Sequence, residues 1–350
     1  MLTVGTETLF YRLTMRLLVR CRRTFYTATV CFVCCAVIAR AEEPAVQIGS
    51  DGRLIYAQDE RGNRIPDFSN CGYAGADRPI PDVPAVVFVA PADGDDGERI
   101  QAAIDQVAAM PLGDDGFRGA VQLTAGEFQV AGQLTISKSG VVLRGAGAGK
   151  GGTTIVAIGP DRRALIRVVG IPDRGWVQKP TVVADEYVAV GERKLRLDST
   201  SGFEVGARIE IVRPSSAEWI KVIGSNAFGI GWRPDSRDIH WDRVVTAVDG
   251  DSITLDAPIT TAIDRQYGGA MVVPTKPSGP IDYIGIEDLR LVSQPATDNP
   301  LDEDHAWHGV TMENVDNAWV RRVEFTGFAG GAVALWETTK WITVEDCISL

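Results

Sequence analysis

Cysteine, histidine and long apolar runs are all scarce in this chain. Of six cysteines in 350 residues, Cys21, Cys31, Cys34 and Cys35 precede residue 42, leaving Cys71 and Cys347. Two thiols exclude a disulfide framework, and Cys347, in an alternating stretch, reads as a small apolar group. The histidines are His240, His305 and His308. His305 and His308 stand at i, i+3 with no third ligand nearby, which lacks a recognised zinc pattern. The longest apolar run, Phe25 to Ile38, falls short of the roughly 18–20 residues a membrane span needs.

That run has the anatomy of a signal peptide. Arg16, Arg20, Arg22 and Arg23 precede it, and Ala39-Arg40-Ala41 follows as an A-x-A cleavage site. Residues 1–41 are therefore expected to be removed, with export through the secretory pathway to the periplasm, the cell surface or the outside. The competing reading is a single membrane anchor. Cleavage removes six Arg and one Glu, taking the formal charge from −11 to about −16. Nucleic acid is thereby excluded as a partner, and no stable membrane span is expected after cleavage. A polyuronate is disfavoured too, unless a local basic patch or a divalent cation reverses the sign in a cleft.

What is present is period-two alternation with glycine-rich corners. Val121 and Leu123, Phe128 and Val130, Leu134 and Ile136, Val141 and Leu143, then Ile155 and Ala157 each mark a short strand with one buried face. A helix over Glu98–Met110 precedes them, with Ile100, Ala103, Ile104 and Val107 as its stripe. Asp95 or Asp96 supplies its N-cap, and Pro111 and Gly113 its stop. The order Asp-Gly-Asp-Asp-Gly, amphipathic helix, Gly-Ala-Val-Gln-Leu-Thr-Ala-Gly-Glu-Phe, Leu-Thr-Ile, Val-Val-Leu-Arg-Gly-Ala-Gly, Thr-Thr-Ile resembles the N-terminal end of the pectate-lyase-like superfamily. Within it, the match is to the rhamnogalacturonase and epimerase-like branch. The resemblance covers residues 85–170 well and 280–350 loosely. It implies an all-β, right-handed, single-stranded parallel β-helix whose first coil is capped by the helix.

Residues 42–84, rich in Gly, Pro, Asp and Arg, read as an irregular lead-in, and 85–180 as the first coils. The rhythm breaks over 181–270, where Lys194–Leu197, Arg208–Val212, Val244–Val248 and Ser252–Leu255 predict an inserted antiparallel β module. Asp249-Gly250-Asp251 is its hairpin turn. Irregular long coils are the alternative. Coils return over 271–350, where Trp319 to Trp341 and Phe325 to Cys347 repeat at 22 residues. Val323 and Val344 are one residue off that spacing, which predicts a bulge. No polar cap follows the strand near Leu350, so further coils are expected to be missing.

Gly147-Ala-Gly149-Lys-Gly-Gly152 matches a dinucleotide fingerprint, but the strand after it offers no helix N-terminus for phosphate, so it reads as a corner. The sharper constellation is Asp302-Glu303-Asp304-His305-Ala306-Trp307-His308 on a corner after Pro295 and Pro300. A histidine beside carboxylates suits proton abstraction from a sugar carbon, so His305, His308 and Asp304 are candidate catalytic groups. Asp302 and Glu303 are candidate ligands for calcium, an oxygen-seeking ion. The alternative is a solvated acidic corner. Arg321 and Arg322 lie one strand later, and an outward arginine is the base that the resemblance implies. Arg322 is the candidate base and Arg321 a substrate contact, against simple pairing with Glu324 or Glu345. All eight Trp follow residue 175. Trp307 and Trp232 are candidate sugar-stacking platforms, with the inserted module walling one side of a glycan cleft. For Trp319 and Trp341, core packing is the better explanation.

These features predict an exported enzyme acting on a polysaccharide, foremost a lyase cleaving a uronic-acid-containing glycan by β-elimination. Glycoside hydrolysis, which needs two spaced carboxylates, is the enzymatic alternative. A non-catalytic glycan-binding or surface β-helix is the other. The Asn-Thr-Asp and Gly-His-Gly motifs of β-helix polygalacturonases are absent from the chain.

Overall fold

A computed structural model describes residues 44–350 apart from 70, 173, 174, 228, 277, 278, 297 and 300. Residues 1–41, expected from the sequence to be a signal peptide, lie outside the described residues. The described chain divides after Ile65 into two units. In the first, Val46–Ile48 and Leu54–Tyr56 pair as an antiparallel hairpin.

The second unit is a parallel β-helix with three faces. On the first face, Ala85–Val89, Gly119–Leu123 and Val141–Arg144 pair in parallel, followed by the leading halves of Ile281–Ser293 and Val315–Thr326 and by Lys340–Glu345. The second face carries Gly126–Val130, Thr153–Ala157, the trailing halves of the two long strands, and Ile348–Ser349. The third stacks Leu134–Ile136, Ala164–Val169, His308–Glu313 and Gly331–Trp336. The coil takes the right-handed sense normal for parallel crossovers.

Alternation sends one residue in two inward, and successive coils stack like on like. Val121, Leu143, Ile286 and Val320 form one column. Phe128, Ile155, Leu291 and Phe325 form a second, and Leu134, Ile166 and Val310 a third. All of these are essentially inaccessible to solvent. Each such side chain contributes about 1.5–3 kcal/mol relative to exposure.

The helix spans Gly97–Ala108 and buries Ile100, Ala103, Ile104 and Val107 against the first coil. Asp96 holds the N-cap position but leaves the helix N–H groups alone. Its carboxylate accepts from Ala92 and Gln129 N–H, and Asp95 accepts from Gly97 N–H instead. Gln101 completes the cap of the solenoid. Its side chain donates to the Thr135 carbonyl at 2.9 Å and accepts from Thr135 N–H at 2.8 Å, occupying the open edge of the third face.

The module is inserted between the strands Ala164–Val169 and Ile281–Ser293, and Trp176 bridges to Thr275 at its base. Its main sheet has six antiparallel strands, in the order Thr181–Val182, Met271–Pro274, Arg208–Arg213, Ile239–Asp249, Ser252–Leu255, Lys194–Arg196, and Tyr187–Val188 pairs antiparallel with Ile263–Asp264 beside it. It has its own core around Ile209, Ile211, Trp241 and Val245. Asp249 pairs with Ser252, so Gly250-Asp251 is the two-residue turn, with Gly250 at φ 60°.

The 22-residue repeat does not survive in the register. Trp319 pairs with Thr343 rather than Trp341, and Phe325 with Ser349 rather than Cys347. Val344 sits below Val320, and Val323 below Leu289. The coil here is 24 residues long on both sides of two left-handed corners. Tyr283, Asn317 and Trp341 occupy one on successive coils (φ 59°, 52° and 57°), and Asp288, Arg322 and Asp346 the other (φ 58°, 53° and 52°). Trp319 packs outside the coil, fully buried beneath Tyr73 and Phe117 of the preceding segments.

Candidate functional site

The residues singled out in the sequence do not converge. His305 is buried; its Nε2 lies against the Asp302 carbonyl at 3.2 Å and its Nδ1 against Ser293 Oγ at 2.7 Å, whose hydroxyl also reaches the Ala306 carbonyl. Neither nitrogen is open. Asp302 accepts from Ala296 N–H and Asp304 N–H, bonds that hold its pKa below the usual carboxylate value. Arg162 pairs with Asp304 at 3.0 Å and Glu303 at 3.7 Å while lying over the Trp307 ring. Among the described residues no group of three or more His, Cys, Asp or Glu side chains is arranged to hold a metal ion. His308, on the third face, packs edge-on against Trp336, and burial pushes its pKa down.

Arg321 and Arg322 belong to other faces of the solenoid. Arg321 donates to the buried Glu287 at 2.6 Å, beside the Trp319 indole N–H at 2.7 Å and with Arg144 on the other oxygen. Arg322 is paired with Asp288. Their carboxylates are thus one coil back, not Glu324 or Glu345; Glu324 holds Arg290. Trp232 is exposed on the module against Trp219, with Arg237 over its ring.

Chemistry gathers instead in a cleft of about 780 Å3 between the module strand Ile239–Asp249 and the coil strand Lys340–Glu345. Strand alternation builds its module wall. Ile209, Ile211 and Trp241 point into the module core, so Arg208, Glu210, His240 and Asp242 share the opposite face. Glu210 Oε1 accepts from His240 Nδ1 at 2.9 Å, and Oε2 accepts from Trp176 Nε1 at 2.7 Å. The ring is thereby held with Nδ1 protonated, and Nε2 has no partner among the described residues.

The coil wall supplies charge. Asp316 and Lys340 are register partners on successive coils. Arg208 clasps Asp242 through Nε and Nη2, and its Nη2 also reaches Asp316 at 3.0 Å; Lys340 Nζ lies 3.4 Å from Asp242. Burial pushes the Asp316 pKa up, opposed by Arg208 and Lys340 and reinforced by Asp242. Burial likewise pushes the Lys340 pKa down, with Asp242 opposing. Lys340 Nζ stands 4.1 Å from the centre of the Trp341 ring, which the left-handed corner turns to the cleft. The arrangement joins an oriented imidazole, a desolvated ammonium and an aromatic face, a set suited to moving a proton on an anionic ring substrate.

Sequence reasoning placed the module at a cleft but passed over Glu210, Asp242, Asp316 and Lys340. The available signal was the alternation Arg-Ile-Glu-Ile and His-Trp-Asp, polar on one face, which any half-buried strand also shows.

Neither a protein-family model nor a curated protein matches the chain. Among solved structures it is similar to the Pseudomonas phage phi297 tailspike gp61 (14% identity, TM-score 0.40, covering 72% of this chain and 38% of that one). It is also similar to the gp54 tailspike of Acinetobacter baumannii bacteriophage AP22, solved with a capsular saccharide (9%, 0.36, 73% and 43%). A third is the A-module of the Azotobacter vinelandii mannuronan C-5 epimerase AlgE4 (18%, 0.32, 74% and 41%). The chain spans about four-tenths of the length of these structures. The narrower pectate-lyase-like branch rests on the sequence motifs alone.

Proposed function

We propose that the cleft takes a stretch of acidic polysaccharide and that the protein is an exported lyase acting on it by β-elimination. The observation that carries this reading is His240, its Nδ1 tied to Glu210 and its Nε2 open to a cleft that also holds Lys340. His240 Nε2 takes the proton from the ring carbon bearing the carboxylate. The Lys340 ammonium neutralises the charge that builds on that carboxylate, and Trp341 stacks on the ring. The electron pair of the C–H bond forms the new C=C bond, the glycosidic C–O bond to the neighbouring ring carbon breaks, and the departing oxygen takes a proton from water. Atoms and charge balance without an oxidant. The role first assigned to His305 and His308 passes to His240, because only His240 combines an oriented ring with an open nitrogen.

The test is absorbance of the unsaturated product on polygalacturonate, alginate and a neutral glucan, with and without calcium. His240→Gln is expected to lose activity by about 10²–10⁴-fold with unchanged melting. Full activity in His240→Gln overturns the assignment. New reducing ends without the absorbing product would mean hydrolysis, and binding without turnover a non-catalytic groove.

A further inference from the structure

The cleft continues past Trp341. A second cavity of about 550 Å3 shares Asp256, Ala257 and Trp341 with it. A third, of about 520 Å3, shares Asp77 and Arg78 with the second and Cys71 with the first. Each alone is within the roughly 300–1,000 Å3 of a small-molecule site, so the three in succession suit a chain of sugars rather than one ring.

A segment outside the solenoid forms the wall that the three cavities share. Ala74, Gly75 and Ala76 all have left-handed backbone (φ 53°, 64° and 64°). In that region each alanine costs about 1–2 kcal/mol. The turn is held against the coils all the same. Tyr73 N–H donates to Thr343 Oγ1 at 2.9 Å, Ala74 N–H donates to Asn317 Oδ1 at 3.2 Å, and the Tyr73 ring packs edge-on to Trp319. Held this way, the turn sets Arg78 at the junction of the second and third cavities.

Arg78 differs from the other arginines near the groove. Arg208 and Arg321 each hold a carboxylate, and Arg243 spends its guanidinium on the backbone carbonyls of Asp242, Ala257 and Pro258. Arg78 is exposed, donates to the Tyr283 hydroxyl at 3.3 Å, and, although Asp77 beside it attracts its charge, forms no ion pair among the described residues. On a chain of net charge −11, an arginine fork left open in a groove is matched to a planar carboxylate.

We infer that Arg78 binds the carboxylate of a uronic acid unit beyond the one held at His240, so that the groove reads acidic charge at two points along one chain. The inference rests on the acidic-glycan reading of the cleft but not on its chemistry.

Full-length protein is titrated calorimetrically with oligogalacturonates and oligomannuronates of two to eight units, and turnover is followed on the same series. Arg78→Ala is expected to weaken binding of the longest oligomers at least tenfold. The loss should grow with chain length, fall on KM rather than kcat, and be partly restored by Arg78→Lys. An equal loss at every length, or none on the longest oligomers, overturns the assignment, as does failure of the wild type to bind any acidic oligomer. If His240→Gln keeps full turnover while Arg78→Ala shows the length-dependent loss, the charge-reading role stands and the proposed base falls.

Discussion

Asp288 and Arg322 occupy the same left-handed corner on successive coils, and Arg322 grips Asp288 through Nε at 2.6 Å and Nη2 at 2.7 Å. Backbone and side chain make separate contributions there, and substitution separates them. Arg322→Val puts a β-branched residue in left-handed backbone and is expected to cost about 1–3 kcal/mol. Arg322→Asn tolerates the backbone and loses only an exposed pair, worth about 0–1 kcal/mol. Urea denaturation compares them; equal losses would mean that the corner backbone imposes no special demand.

Gly285 is the point where the outer face admits Trp319. A Cβ on Gly285 would lie 2.4 Å from one indole carbon and 2.5 Å from another, and the indole is fully buried with its N–H on Glu287. Gly285→Ala is therefore expected to destabilise by about 1–3 kcal/mol and to alter tryptophan near-ultraviolet dichroism. An unchanged melting curve would show that the indole moves freely.

The pH response of the cleft depends on Asp316, which faces Arg208, Asp242 and Lys340. Its folded pKa is raised above 3.8, so between the two pKa values the native state holds more protons than the unfolded state. Stability from this group is present below 3.8 and is lost as pH rises through the folded pKa. Asp316→Asn removes that loss. The melting temperature of the variant minus that of the wild type is expected to climb from pH 4 towards neutrality; a flat or falling difference would mean that Arg208 and Lys340 outweigh burial.

The coils were legible because each short strand declares its buried face locally. Val121 and Leu123 or Phe128 and Val130 need no distant partner to mark an inward pair. The helix was legible from its own stripe, although its cap was not: Asp96 turns to Gln129, a residue of the first coil. Coil length was misread because aromatic spacing is a poor ruler. Trp341 is a corner residue stacked under Asn317, while Trp319 lies on the flat of a strand under the Tyr73 turn.

The site was illegible for a different reason. His305 and His308 drew attention as neighbours in sequence, yet they point to separate surroundings, Ser293 and Trp336. His240, Glu210 and Lys340 stand far apart in sequence and meet only because the module emerges at one corner and folds its polar face towards later coils. Alternation and glycine corners by themselves marked the short strands and the break in their rhythm over 181–270; that the strands wind into a β-helix was what the family resemblance implied. Which charges lost water, which ring nitrogen stayed open and which arginine was left without a carboxylate were decided by tertiary packing. Desolvation and ion pairing depend on what lies across the cleft, and no local pattern encodes that.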